Sequence, residues 1–364
     1  MAIRVLHIIS SLELGGAQVC VKHLVENAGR GVKPFVYPLR CGRTDISVHG
    51  EVAKLAYPNY DVRKFFSILR LCREHRIDII HAHLEKPILG GLLASYFCNS
   101  HVVIHEHGPI FRSGWRQKIY RLGLRLLAGR AAVVLAVSEA VAKELAAKAK
   151  VKPNRIRVVH NAVNLDRFKP DEQKRKQFRK QIGAGENDIV IGYVGRLAHV
   201  KGVDLLIEAM GLLAEKSARY LLVLVGEGGQ REYLEKLTER FGISRRVKFL
   251  GFCDNVAEIM TAFDIGVVPS RQEAWGIVAL ELMSMKVPLV CSGVEGLAEI
   301  ATDDETALLT SRNTAEEIAG CIERLTGDEA LRRRLAQAGR QKSEEFSVGE
   351  YVRKIEQIYA ELVS

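Results

Sequence analysis

Short, nearly continuous apolar runs alternate with amphipathic stretches along this chain, and the whole alternation occurs twice. Residues 3–9, 35–39, 77–81, 102–105 and 131–137 read as strands, with helical patterns such as 17–28 and 62–76 between them. Strands buried on both faces are apolar without interruption, and parallel strands need crossover helices, so the pattern predicts an α/β domain on a parallel sheet. The second half repeats it with strands at 189–194, 220–225, 247–250, 265–269 and 289–292. Between the halves, residues 171–180 carry seven charges, followed by Gly183, Gly185 and Asn187, a composition that supplies no core strand. We therefore expect a first domain over 1–169, a linker over 170–188 and a second domain over 189–346, with a last helix near 347–364 able to pack back on the first. A length of 364 residues accommodates two such doubly wound domains. Their ligands are expected at the carboxyl ends of the strands, in a central cleft that the two domains face.

Composition narrows the function classes. Hydrophobic residues make up 48% and charged residues 26%, the balance of a globular chain. The seven cysteines, at 20, 41, 72, 98, 253, 291 and 321, are odd in number and never form a Cys-x-x-Cys, which suits a reducing cytoplasm. No Cys/His group has the paired spacing of a zinc site along the chain, so no structural zinc is expected. The apolar stretch at 5–9 is too short for a signal-peptide core, and 88–98 is too short and too polar for a membrane span. The net charge of +10 is unevenly shared. Residues 1–170 hold 27 Lys and Arg against 12 Asp and Glu, while the remainder holds 26 against 31. The basic half calls for an anionic partner: a nucleic acid, an acidic membrane surface or a phosphorylated substrate.

Particular residues at strand ends suggest which. After the first strand comes Gly15-Gly16 and a helix, which permits close approach of a phosphate to backbone, although a plain tight turn reads the same way. After 189–194 come Gly195, Arg196 and Leu197, then Lys201-Gly202 and another helix. Arg196 and Lys201 could clamp a diphosphate there, or simply be solvated. Glu273 and Glu281 stand eight positions apart, the first in a loop and the second in the apolar run 277–283, where a buried carboxylate needs a partner.

In this order, Gly195-Arg196-Leu197 with Lys201-Gly202, Val225-Gly226-Glu227-Gly228 and Pro269-Ser270 through Glu281 resemble the retaining glycosyltransferases of family 4. So do Gly15-Gly16, His81-Ala82-His83, His107-Gly108, Val137-Ser138-Glu139, 161–168 and Phe346-Ser347, so the likeness covers nearly the whole chain. It implies a GT-B fold, two Rossmann-like domains of which the second binds a nucleotide-sugar donor and the first receives the acceptor. By the same resemblance, Arg196 and Lys201 hold the donor diphosphate, Glu281 the ribose hydroxyls and Glu273 the transferred sugar. Gly276, Ile277 and Val278 offer backbone contacts, Gly15 and Gly16 close on the phosphates, and His107 faces the reacting sugar. His105 is the second choice for that role, and His81 and His83 are acceptor-side candidates. With no Asp-x-Asp motif, the two cations stand in for a metal, so no metal or cofactor is expected beyond the donor itself. The chain departs from the family pattern at Glu295-Gly296-Leu297-Ala298-Glu299, which puts a carboxylate beside the donor site. Gln18 stands in place of a common acidic residue, and Lys286 and Ala307 in place of glycines.

Residues 109–130 interleave cations with large apolar groups. At helical spacing Trp115, Ile119, Leu122 and Leu126 share one face, with Lys118, Arg121 and Arg125 beside it. Such a helix either packs in the core with its cations solvated or lies on an anionic leaflet. No nucleic-acid-binding signature accompanies the basic residues, so nucleic acid is not expected. These readings converge on a cytoplasmic, membrane-peripheral, metal-independent glycosyltransferase with a lipid-linked or cell-envelope acceptor. The competing classes are a GT-B sugar-nucleotide epimerase and a non-catalytic sugar-nucleotide binding protein.

Overall fold

The computed structural model describes residues 2–364 except 14, 41–50, 53–60, 62, 109–114 and 218; Cys41 and the start of the basic stretch, with Phe111 and Arg112, lie outside the described residues. The chain divides into two units, Met1–Ala162 with Val348–Ser364, and Val163–Ser347. Each is a parallel sheet flanked by helices.

In the first unit the strands are β1 (Ile3–Ile9), β2 (Val32–Pro38), β3 (Glu51–Val52), β4 (Ile79–His83), β5 (His101–Glu106), β6 (Val133–Ala136) and β7 (Ile156–Val158), in the sheet order β3-β2-β1-β4-β5-β6-β7. The second unit holds β8 (Ile189–Val194), β9 (Tyr220–Val225), β10 (Val247–Gly251), β11 (Ile265–Val268), β12 (Leu289–Ser292) and β13 (Leu308–Thr310), in the order β10-β9-β8-β11-β12-β13. Both orders wind outward on one side and then jump to the other, which is the Rossmann-like pattern. The jump leaves a crevice beyond the carboxyl ends of β1 and β4 in one sheet, and of β8 and β11 in the other. Every strand read from the apolar runs is present. The three that were not read, β3, β7 and β13, have two or three residues each, too few to produce a pattern.

The charged segment expected as a linker folds differently. Residues 172–181 form a helix, Glu172–Gln181, capped by Asp171, whose carboxylate accepts from the Gln173 and Lys174 amides at 3.0 Å each. Arg175 and Arg179, one turn apart, both pair with Asp264, Arg179 at 2.8 Å, and the same carboxylate accepts from the Val190 amide at 2.8 Å. An aspartate taking three donors ties this helix to the amino end of β8, so 170–188 belongs to the second unit and is not a spacer. The last helix, Val348–Val363, is grouped with the first unit, where Glu356 accepts from the Gly29 amide at 2.7 Å and Tyr351 and Tyr359 are buried.

Candidate functional site

In the second unit the loop after β8 is fixed by its neighbours. The Leu197 amide donates to the Glu227 carbonyl at 2.9 Å, and the Tyr193 hydroxyl to the Arg196 carbonyl at 3.0 Å, leaving the Arg196 side chain exposed at the strand end. A single turn of 3-10 helix, His199–Lys201, then ends at Gly202 with φ 66°. A Cβ at Gly202 would lie 1.9 Å from the Pro269 carbonyl oxygen, so only glycine allows the β8 loop to meet the β11 loop so closely. Lys201 is thereby delivered to Glu273, Nζ to Oε2 at 2.6 Å, with both side chains mostly buried. The Ser270 hydroxyl donates to the same carboxylate oxygen at 3.1 Å.

The motif 269–281 rounds the strand end and enters a helix, Ile277–Ser284, that starts from Gly276 at φ 94° and has no side-chain cap. Its first-turn N–H groups, those of Ile277 and Val278 among them, point to the strand-end crevice with the partial positive charge of a helix amino terminus. Glu281 lies one turn further along this helix. Burial pushes its carboxyl up to about 8, against the opposing pull of the Arg167 charge. The Glu295 carboxylate sits on the backbone of the motif: Oε2 accepts from the Glu273 amide at 3.1 Å, and the Gly296 amide donates to the Glu273 carbonyl at 3.0 Å.

Three supports around this loop were not singled out in the sequence. Arg271 binds Asp204 through two parallel bonds of 2.7 Å and donates to the His199 carbonyl at 2.8 Å, bracing the turn that carries Lys201. The Ser292 hydroxyl donates to the Ser270 carbonyl at 2.6 Å, and the Asn313 amide group to the Pro269 carbonyl at 3.1 Å. Their only signal along the chain was position: Arg271 lies inside the motif and Asp204 in the first turn after Lys201-Gly202.

In the first unit Gly15 and Gly16 open the helix Gly16–Glu26 directly beyond β1, and Gln18 within it donates to the Ser11 carbonyl at 3.3 Å. His107 follows β5 and is half-exposed. It ends a column of imidazoles assembled by register, for His7 pairs with His81 across β1 and β4, and His83 with His105 across β4 and β5. His7 Nδ1 and His83 Nε2 are 3.2 Å apart, His83 Nδ1 and His107 Nε2 3.0 Å, and His81 Nδ1 bonds the Tyr359 hydroxyl at 2.5 Å. Burial keeps all five uncharged, holding His7 and His107 at about 3 and the others well below their usual value. On the other side of β5, Glu106 is bonded by the Tyr120 hydroxyl, and burial pushes its carboxyl up to about 7.

The expected residues thus fall into two groups. Arg196, Lys201, Glu273, Gly276, Ile277, Val278 and Glu281 gather at the β8/β11 crevice, while Gly15, Gly16, His81, His83, His105 and His107 gather at the β1/β4/β5 strand ends.

The Glycosyltransferase Family 4 profile matches residues 14–167, and the Glycosyl transferases group 1 profile matches residues 174–342. An uncharacterised glycosyltransferase of Methanocaldococcus jannaschii is 30% identical over 266 residues, covering 71% of this chain and 68% of the relative. The UDP-Gal:alpha-D-GlcNAc-diphosphoundecaprenol alpha-1,3-galactosyltransferase of Escherichia coli is 26% identical over 313 residues, 83% of this chain and 80% of that one. Among solved structures, Anabaena HepE in complex with UDP-glucose matches with a TM-score of 0.87 at 22% identity, over 99% of this chain and 100% of that one.

Proposed function

The chain belongs to the group 1, family 4 glycosyltransferases of GT-B fold, and from that premise we propose that it moves a sugar from a nucleotide-diphosphate sugar to a hydroxyl acceptor with retention of configuration. The observation that carries the reading is the Lys201 to Glu273 pair at 2.6 Å beside an uncapped helix amino terminus, all at the switch point of the second sheet. In this reading Arg196 and Lys201 grip the diphosphate and stabilise the charge that develops on it as the sugar-oxygen bond breaks. In this reading no metal is required for that step, because the two cations supply the charge. Glu273 holds Lys201 and meets the transferred sugar, the Gly276 to Val278 backbone receives phosphate or sugar oxygens, and Glu281 takes the ribose hydroxyls. In the first unit, Gly15, Gly16 and His107 are the candidates for phosphate and sugar contacts. Among the described residues the carboxylate nearest the proposed sugar position, Glu273, is engaged by Lys201 and Ser270, which favours front-face attack within an ion pair over a covalent intermediate.

For the acceptor we favour a lipid-linked or cell-envelope glycan reached at an anionic membrane face. The support is the helix Trp115–Leu127. It buries Gln117, Tyr120 and Leu124, while Trp115, Ile119, Leu122 and Leu126 on its other side are 67, 55, 56 and 70% exposed. That is the reverse of a core helix with solvated cations. Phe66, Leu93, Tyr96 and Phe97 of the same unit are exposed as well. The E. coli relative is named for an acceptor joined to diphosphoundecaprenol. Among the described residues no helix is long and apolar enough to cross a membrane, so the contact proposed is peripheral.

The deciding experiment is a thermal-shift and nucleotide-release screen over UDP-, GDP-, ADP- and CDP-sugars without added metal, with product stereochemistry read by NMR. One donor that stabilises the protein and is slowly hydrolysed supports the transferase. Conversion of the donor to an epimer without acceptor would replace it by the epimerase reading, and binding without turnover by the non-catalytic one.

A further inference from the structure

The imidazole column has a property that the transferase reading does not use. Two overlapping sets, His7 with His81 and His83, and His83 with His105 and His107, each bring three ring nitrogens within 4.8 Å of one another. The first set is sealed, since all three of its residues are no more than 1% exposed; His7 Nδ1 meets His83 Nε2 and His81 Nδ1 the Tyr359 hydroxyl, while His81 Nε2 is buried without a partner. The second is open at one end through half-buried His107, and it contains most of the unsatisfied imidazole nitrogens. Both ring nitrogens of His105 and Nδ1 of His107 are buried without a hydrogen-bond partner. A buried polar nitrogen left unpaired is destabilising, and no other described side chain relieves these.

From this geometry we infer that His83, His105 and His107 form a binding site for a late first-row divalent cation, of which Zn2+ is the best fit. Three uncharged imidazoles with no carboxylate or thiolate are a ligand set that suits Zn2+, Cu2+, Ni2+ or Co2+ and disfavours Mg2+ or Ca2+. In a tetrahedral site with metal-nitrogen bonds of about 2.0–2.1 Å the ligand nitrogens are about 3.3–3.4 Å apart. His83 Nδ1 and His107 Nε2 already stand at 3.0 Å, so the ion would replace their mutual hydrogen bond and take up a nitrogen of His105. His83 would keep its Nε2 contact to His7 Nδ1, the outer-sphere hydrogen bond that orients a ligating imidazole. The fourth position, toward the exposed side of His107, is left for water. Spacing along the chain gave no hint of such a site, because the ligands come from two strands brought into register. The ion would also engage the histidine proposed to face the sugar, so its occupancy would oppose transfer.

The test uses full-length protein without a polyhistidine tag, stripped with chelator and then dialysed against Zn2+ or titrated with Co2+. One equivalent of Zn2+ per chain is expected, together with the visible ligand-field bands of tetrahedral Co2+. His107→Phe, at a half-exposed position, and His105→Phe, which keeps the ring volume, are each expected to weaken binding more than tenfold, with folding followed by circular dichroism. Should His105→Phe not fold, His107→Phe and the wild type decide. Wild-type protein that takes up no Zn2+ and develops no Co2+ band would overturn the inference, as would unchanged affinity in folded His107→Phe. Neither donor nor acceptor enters these readouts, so the metal site and the transferase reading stand or fall separately.

Discussion

Lys201 and Glu273, 72 positions apart in the chain, meet at 2.6 Å where the loops after β8 and β11 cross, and the contact exists because Gly202 has no Cβ to press on the Pro269 carbonyl. The pair joins the two motifs on either side of the second sheet's switch point. The Glu273 carboxylate holds the ammonium in place, so the diphosphate would meet a lysine already oriented rather than a mobile one.

Lys201→Ala is expected to lower kcat about 10²–10³-fold, the usual cost of removing one donor from a developing oxyanion. Glu273→Gln should cost turnover too, and the double variant should lose less than the two single losses added together, because the residues act as a unit. Single-turnover kinetics at saturating donor provide the check. Wild-type rates in Lys201→Ala would remove the residue from the site.

Glu281 titrates near 8 in the folded protein, above the about 4.3 of an unfolded chain. Between those values the folded state holds a proton that the unfolded state has released, so this group's contribution to stability falls as pH rises from about 5 to about 8. Glu281→Gln should flatten that part of the melting-temperature profile, and Glu281→Ala should weaken donor binding. Parallel profiles for wild type and Glu281→Gln would show that the carboxylate is ionised throughout.

Lys286, at a position where the family carries glycine, ends the helix Ile277–Ser284 with φ 56°. Its amide donates to Met283 and the Val287 amide to Leu282, at 3.0 Å each. A side chain in this left-handed conformation costs about 1–2 kcal/mol relative to the right-handed one, and glycine does not incur that cost. Lys286→Gly is therefore expected to raise stability by about 1 kcal/mol, read as a shift in the denaturant midpoint. A lowered midpoint would mean that the lysine makes compensating contacts.

Ile119→Glu and Leu126→Glu alter only exposed positions of the helix Trp115–Leu127. Both should leave the melting temperature within about a degree or two, since surface substitutions change stability by about 0.5 kcal/mol or less. They should nonetheless reduce co-sedimentation with anionic vesicles several-fold. Equal binding of wild-type protein to neutral and anionic vesicles, or to neither, would end the membrane reading.

Much of the fold was legible because its signals are local. Residues 189–194 and 220–225 are apolar throughout, and only a strand covered on both faces tolerates that, so they appear at the same residues in β8 and β9. The residues at the β8/β11 crevice were legible as strand-end motifs for the same reason. Residues 170–188 were misread because a run of seven charges looks like a solvated spacer until Asp264, more than eighty positions away, collects Arg175 and Arg179. Arg271 and Asp204 escaped notice because each is unremarkable alone and meaningful only as a bidentate pair.

By itself, then, the sequence determined the two parallel sheets, the loops that carry chemistry and the amphipathic stripe of residues 115–127, since periodicity and strand-end motifs are written in adjacent residues. Tertiary structure alone decided that the apolar side of that stripe faces outward, because periodicity defines a face but not the medium it meets. It also decided that histidines 76 positions apart share a hydrogen bond. Strand register is set by the packing of whole sheets, and no local pattern encodes which imidazole will stand beside which.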